Sequence, residues 1–169
     1  RRGQFELLRK EIETNPARCP DYGPAKLHPT AGATAVGARK FLIAFNVNLN
    51  SPDVAVAREI AKRIRESDGE SNGGLAGVKA MGVALESRNR AQVSVNITDY
   101  ERTSLETVFR SIEREAELRG IGVQGSEIVG LVPRAALRPE ARASLRIENF
   151  REDLVLENRL NSCLNNSAG

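Results

Sequence analysis

Five apolar side chains at alternate positions, Phe41, Ile43, Phe45, Val47 and Leu49, are interleaved with Leu42, Ala44, Asn46 and Asn48. Successive side chains of a strand leave on opposite sides, so this period of two predicts a strand with one buried face. A helix follows from the next residues. Ser51 is a capping residue type, Pro52 suits the first helical position, and Val54, Ala57, Ile60, Ala61 and Ile64 form one buried stripe that ends near Ser67.

The pattern repeats further along. Asp68 to Gly74 reads as flexible loop; Val78 to Glu86 and Ala91 to Thr98 read as strands joined by the short stretch Ser87 to Arg90. Thr103 and Glu106 offer a capping box ahead of the stripe Leu105, Val108, Phe109, Ile112 and Ala116, and Gly120 and Gly122 stop that helix. Val123 to Val132 is expected as a fourth strand, Pro133 to Leu145 as a helix, and Glu152 to Leu160 as a weaker helix before a polar tail over 161–169. At the other end, Phe5, Leu8 and Ile12 mark a leading helix over 1–15, closed by Pro16, and four prolines and two glycines leave 16–32 without a regular element.

The central order is strand, helix, strand, strand, helix, strand. It predicts an α/β (α+β) chain of the ferredoxin-like split βαβ plan, with a four-stranded, mainly antiparallel sheet and helices on one face. A chain of 169 residues with 40% apolar content can bury one sizeable core, so a single domain over 1–169 is expected.

Composition narrows the partners. The net charge of +3 is spread along the chain, and with aromatics at 4% and no tryptophan there is little stacking surface for nucleic acid; small anions are the better match. Cys19 and Cys163 are far apart and lack ligand spacing, which suits free thiols in a reducing compartment, and one histidine makes a zinc or iron site unexpected. No apolar run approaches the roughly 20 residues of a bilayer crossing, so a cytoplasmic location with no membrane partner is expected. Met81 is the single methionine and the chain opens directly into a helical pattern, so it reads as a piece of something longer.

If the apolar members of the first and third strands face the helices, Asn46, Asn48, Gln92, Ser94 and Asn96 share the uncovered face. Asn is a poor strand former, and amides supply donors and acceptors for a neutral polar ligand or a wet interface with another lobe. An open face that merely carries these residues is the plain alternative.

Three further stretches carry chemistry. The loop Gly23, Pro24, Ala25, Lys26, Leu27, His28, Pro29, Thr30, Ala31 and Gly32 offers backbone N–H groups beside a lysine and the lone histidine, enough to hold a carboxylate or a pteridine ring, or else it is a connector. Arg39 and Lys40 precede the first strand and Lys79 begins the second; they suit an anionic tail such as a glutamate, and ordinary surface charge explains them too. Glu127 lies in an apolar strand and either makes a structural ion pair or faces a site. Gly32 to Gly37 is not a dinucleotide fingerprint, and there is no phosphate loop.

The runs PDYGP at 20–24, GATAVGARKFLIAFNVNL at 32–49, NRAQVSVNITDYE at 89–101 and GSEIVGLVP at 125–133 resemble the formiminotransferase domain of glutamate formimidoyltransferases, alone or fused to a cyclodeaminase. The likeness extends from about Arg1 to Leu160 and is to the second, C-terminal subdomain. It implies transfer of a formimino group from N-formimino-L-glutamate to tetrahydrofolate, a co-substrate, in histidine degradation, with no metal. It also implies folate binding by the 23–32 loop and a place for Lys79 and Glu127 beside the substrate; Arg39, Asn46 and Asn48 join them as candidates for substrate contact on the residue pattern given above.

The family's catalytic histidine lies in a first lobe without a counterpart here, and His28 does not match it. A first lobe, in the same or another chain, is therefore an implied partner, and a homo-oligomer is possible. The competing reading is a non-catalytic ferredoxin-like module that binds a small ligand or a protein through its Asn-rich face.

Overall fold

The computed structural model describes residues 4–66 and 74–166, with the side chains of 4–6 and 166 left aside. The loop expected over Asp68 to Gly74 falls outside them except for Gly74. The chain forms two compact units, Arg1–Ala38 and Arg39–Gly169, each described by itself.

The larger unit is built on β1 (Ile43–Leu49), β2 (Val78–Leu85), β3 (Arg90–Ile97) and β4 (Val123–Val129), in the spatial order β2-β3-β1-β4 with every neighbour antiparallel. This is the expected α/β architecture. Helices α2 (Val54–Ile64) and α3 (Leu105–Glu117) bury their predicted stripes against one face, where Ile43, Phe45, Val47, Leu49, Val93, Val95 and Ile97 complete the core. Each large apolar side chain so buried stabilises by roughly 1.5–3 kcal/mol relative to exposure. At Gly82 a side chain is excluded: an added Cβ would lie 2.3 Å from the Arg58 nitrogen and 2.5 Å from the Ala57 carbonyl carbon, so α2 rests directly on β2.

Several boundaries differ from expectation for local reasons. Phe41 lies ahead of β1 and is 37% exposed, because pairing with β3 begins at Ile43↔Ile97 and no strand reaches further. Asp53, not Ser51, caps α2 by accepting from the Ala55 N–H at 2.8 Å, while Ser51 accepts from Asp53 N–H in the turn before it. Thr103 is buried and donates to the Ala76 carbonyl at 2.7 Å, so the cap of α3 passes to Ser104. The helix expected from Pro133 to Leu145 is broken into a 3-10 turn, Arg134–Ala136, and the short α4, Pro139–Ser144. Proline forces the residue before it out of the helical region, and Arg138 is extended with ψ 147.

The last helix, α5 (Leu156–Asn166), starts later than expected and runs into the stretch read as a polar tail, whose residues 161–165 are exposed. Val132 lies between Leu154 and Leu156 in a two-residue parallel bridge, with bonds of 2.8 and 3.0 Å.

The smaller unit contains α1 (Gln4–Glu11), a 3-10 turn at Pro16–Arg18 capped by Asn15, and the proline-rich loop, where Gly23 and Gly32 take positive φ of 89 and 68. Those angles favour glycine.

Candidate functional site on the open sheet face

The register places three rows of side chains on the face away from α2 and α3. They are Lys79, Asn96, Ala44 and Val129; Met81, Ser94, Asn46 and Glu127; and Val83, Gln92, Asn48 and Gly125. The expected Asn, Gln and Ser residues therefore share one surface. It is more charged than their sequence suggests, because the second row ends in Glu127 and two further side chains reach in from loops.

In the third row the polar groups are locked together. Asn48 and Gln92 are 2% and 4% exposed, and Gln92 Nε2 donates to Asn48 Oδ1 at 2.8 Å. Asn48 Nδ2 donates to Glu127 Oε1 and to Glu148 Oε2, both at 3.2 Å. Arg88, at the end of the 3-10 turn between β2 and β3, pairs with the same Glu127 oxygen. The Arg88 guanidinium is held above its usual range chiefly by that bond to Glu127, with Glu148 adding attraction. The arrangement is a buried amide bracketed by two carboxylates, with one guanidinium against them. Both its donor hydrogens and its acceptor are oriented before any ligand arrives.

Glu148 reaches this place because the segment after α4 turns back along the free edge of β4. Ser126 N–H donates to the Arg146 carbonyl at 2.9 Å and Glu148 N–H to the Ser126 carbonyl at 2.9 Å. The Asn149 side chain continues the ladder, accepting from Ile128 N–H at 3.0 Å and donating to the Ile128 carbonyl at 2.8 Å. Gly125 leaves the room: a Cβ there would lie 2.6 Å from Glu148 Oε1.

Of the candidates read from sequence, the structure brings Asn48 and Glu127 into contact and sets Asn46 across from Glu127. Lys79 stands exposed two rows away, beside Asn96, and Arg39 is exposed and donates to the Lys40 carbonyl at 3.2 Å. Lys40 pairs with Asp99 at 3.2 Å and with Glu101. Its ammonium is raised by the Glu101 bond first and the Asp99 bond second. Burial pushes the Asp99 carboxyl up, but Lys40 and the N–H groups of Arg102 and Glu101 outweigh it and hold the group below its usual value.

Arg88, Gly125, Glu148 and Asn149 escaped the sequence reading. The one available signal was Gly125, a residue without a side chain in the middle of a strand.

The loop 23–32 belongs to the smaller unit. His28 and Gly32 exchange two backbone bonds of 3.0 Å, and His28 Nδ1 accepts from Ala31 N–H at 3.0 Å and Thr30 N–H at 3.3 Å. With Nδ1 accepting both bonds, Nε2 is the ring nitrogen left to donate. A groove of about 470 Å³ runs beside it, lined among others by Ile12, Tyr22, Lys26, Leu27, His28 and Pro29. Gly23, Pro24, Ala25, Thr30 and Ala31 are exposed around this turn.

Among the described residues no group of three or more His, Cys, Asp or Glu side chains could hold a metal ion, and no helix is long and apolar enough to cross a membrane.

Residues 44–159 match the family described as formiminotransferase domain, and residues 1–39 match the formiminotransferase domain, N-terminal subdomain. The glutamate formimidoyltransferase of Streptococcus pyogenes serotype M1 is 48% identical over 162 residues, covering 95% of this chain and 52% of that protein. That of Thermoplasma acidophilum is 38% identical over 162 residues, 96% of this chain and 52% of its own. The formimidoyltransferase-cyclodeaminase of Mus musculus is 45% identical over 139 residues, 81% of this chain and 25% of its own length. The chain spans about half the length of the first two relatives.

Proposed function

The chain belongs to the formiminotransferase domain family, and from that premise we propose that it is the folate-binding second lobe of a glutamate formimidoyltransferase. In the proposed reaction a folate nitrogen bonds to the formimino carbon of N-formimino-L-glutamate. The glutamate nitrogen leaves with the electron pair of the broken C–N bond, and one proton passes from the folate nitrogen to it. The base that takes this proton comes from a first lobe, since His28 is engaged in its own turn. This chain contributes binding, orientation and electrostatics. Tetrahydrofolate enters as co-substrate, and the product feeds one-carbon metabolism in the cytoplasm as part of histidine degradation.

The observation that carries this reading is the buried Asn48 amide, bracketed by Gln92, Glu127 and Glu148 on the sheet face opposite α2 and α3. Fixed polar groups on an otherwise open surface suit a ligand held between two lobes. In the proposed arrangement residues 1–39 form the stretch leading from the first lobe. Within it Lys26, the Nε2–H of His28 and the N–H groups of the 23–32 loop suit an anionic or pteridine portion of folate. The larger unit, taken by itself, offers Asn46, Glu127, Lys79 and Arg39 to a ligand, and the buried Asn48 holds Glu127 in place.

The test is titration of a reduced folate into the chain reconstituted with a first formiminotransferase lobe, followed by an assay of formimino transfer. Saturable binding is expected, weakened about tenfold by Asn48→Ala, equivalent to about 1.4 kcal/mol. No binding by the two-lobe protein overturns the assignment.

A further inference from the structure

We infer that Glu148 is a positioning residue of the open face: reaching through the notch at Gly125, it fixes the Asn48 amide, and with it Glu127, in the orientation that a bound substrate meets. The inference rests on the reading of this face as the substrate site.

Three independent features converge on it. The backbone of Glu148 is immobilised on both sides. Before it, Arg146 adopts φ 49 and donates through its guanidinium to the Val123 carbonyl at 2.8 Å and to Glu113 at 2.7 Å. After it, Asn149 is bonded twice to Ile128, and Phe150 lies under the Arg142 guanidinium, 3.9 Å from the ring centre. None of these anchors uses the Glu148 carboxylate.

Second, Gly125 is the Cα partner of Asn48, so any side chain there would stand where the Glu148 carboxylate lies; an added Cβ meets its Oε1, Cδ and Cγ at 2.6, 2.7 and 2.8 Å. Third, the carboxylate spends one oxygen on Asn48 Nδ2, the same nitrogen that serves Glu127. The two amide hydrogens are thereby divided between two acceptors, which fixes which edge of Asn48 carries oxygen and which nitrogen. Gln92, bound to the oxygen, agrees with that assignment. A long, exposed glutamate ordinarily samples several rotamers; here the backbone, the notch and the acceptor all favour the one that reaches Asn48.

The experiment combines a double-mutant cycle with kinetics. Side-chain amide signals of Asn48 are followed by NMR in the full chain for Glu148→Ala, Gly125→Ala, the double variant and Glu148→Gln. Glu148→Ala and Gly125→Ala should each speed exchange of the Asn48 amide protons about tenfold. The double variant should be no worse than either, because both changes remove one interaction. Glu148→Gln, whose amide oxygen can still accept, should restore slow exchange. In the two-lobe enzyme Glu148→Ala should raise KM for the formimino donor about tenfold with kcat within about threefold, and Glu148→Gln should recover most of that loss.

Additive effects of Gly125→Ala and Glu148→Ala, an Asn48 amide indifferent to both, or a Glu148→Gln as damaging as Glu148→Ala would overturn the inference. An unchanged KM in Glu148→Ala would do the same. Absence of folate binding by the wild-type two-lobe protein sinks the functional reading instead, and the NMR cycle still decides whether Glu148 positions Asn48.

Discussion

Gln92 donates to Asn48 across the two central strands at 2.8 Å, and both side chains are almost wholly buried on the face opposite the helices. Replacing Asn48 by Leu strands the Gln92 amide and removes a donor from both Glu127 and Glu148. A loss of about 1–3 kcal/mol in unfolding free energy is expected, the usual cost of an unsatisfied buried group. The double variant Asn48→Leu/Gln92→Leu should be more stable than Asn48→Leu alone, since it leaves no stranded amide at position 92. Urea titrations of the three proteins check the order.

Gly82→Ala drives a methyl into the backbone of α2 at Ala57 and Arg58. Neither element can move without disturbing the core, so a destabilisation of roughly 1–3 kcal/mol is expected. It should appear as a lower urea midpoint with an unchanged slope.

The Lys40 cluster sets a pH window. The folded Asp99 carboxyl lies below its ordinary value of 3.8, so its contribution is present above that pH and is lost as pH falls through the folded value. The folded Lys40 ammonium lies above 10.5, so its contribution is present below that pH and is lost as pH rises through the folded value. The stability difference between wild type and Lys40→Met should therefore be flat from about pH 5 to about pH 10 and shrink beyond both ends. A difference that keeps changing across neutral pH contradicts this.

His28→Ala frees the N–H groups of Thr30 and Ala31. With a net bond worth about 0.5–1.5 kcal/mol, amide exchange at these two positions should rise up to about tenfold. Exchange at Gly32, bonded to the His28 backbone, should rise less.

Asn149→Ala uncovers both backbone groups of Ile128 at the β4 edge. A loss of about 1–3 kcal/mol is expected, and light scattering should detect concentration-dependent association through the bared strand.

The alternation from Ile43 to Leu49 and from Arg90 to Ile97 was legible because burial on one face imposes it, and the register then put Asn46, Asn48, Gln92, Ser94 and Asn96 where the pattern said. The capping residues of α2 and α3 were missed by two positions and one, since Thr103 is drawn into a tertiary bond with Ala76 that no local motif announces. Glu148 was invisible for a similar reason. Its approach to Asn48 depends on a chain reversal after α4 and on the missing side chain of Gly125, which are long-range facts. Arg88 lay in a turn whose length was readable but whose direction was not.

The segment 146–149 has one more effect. By occupying the outer backbone groups of Ser126 and Ile128, it denies β4 to any incoming strand. Lateral growth of the sheet is closed on that side, so a second body can join there by laying its surface over the rows of Asn46 and Asn48 but not by lengthening the sheet. Such an association is set by side chains, which a sequence can tune, and not by backbone pairing, which every strand offers alike.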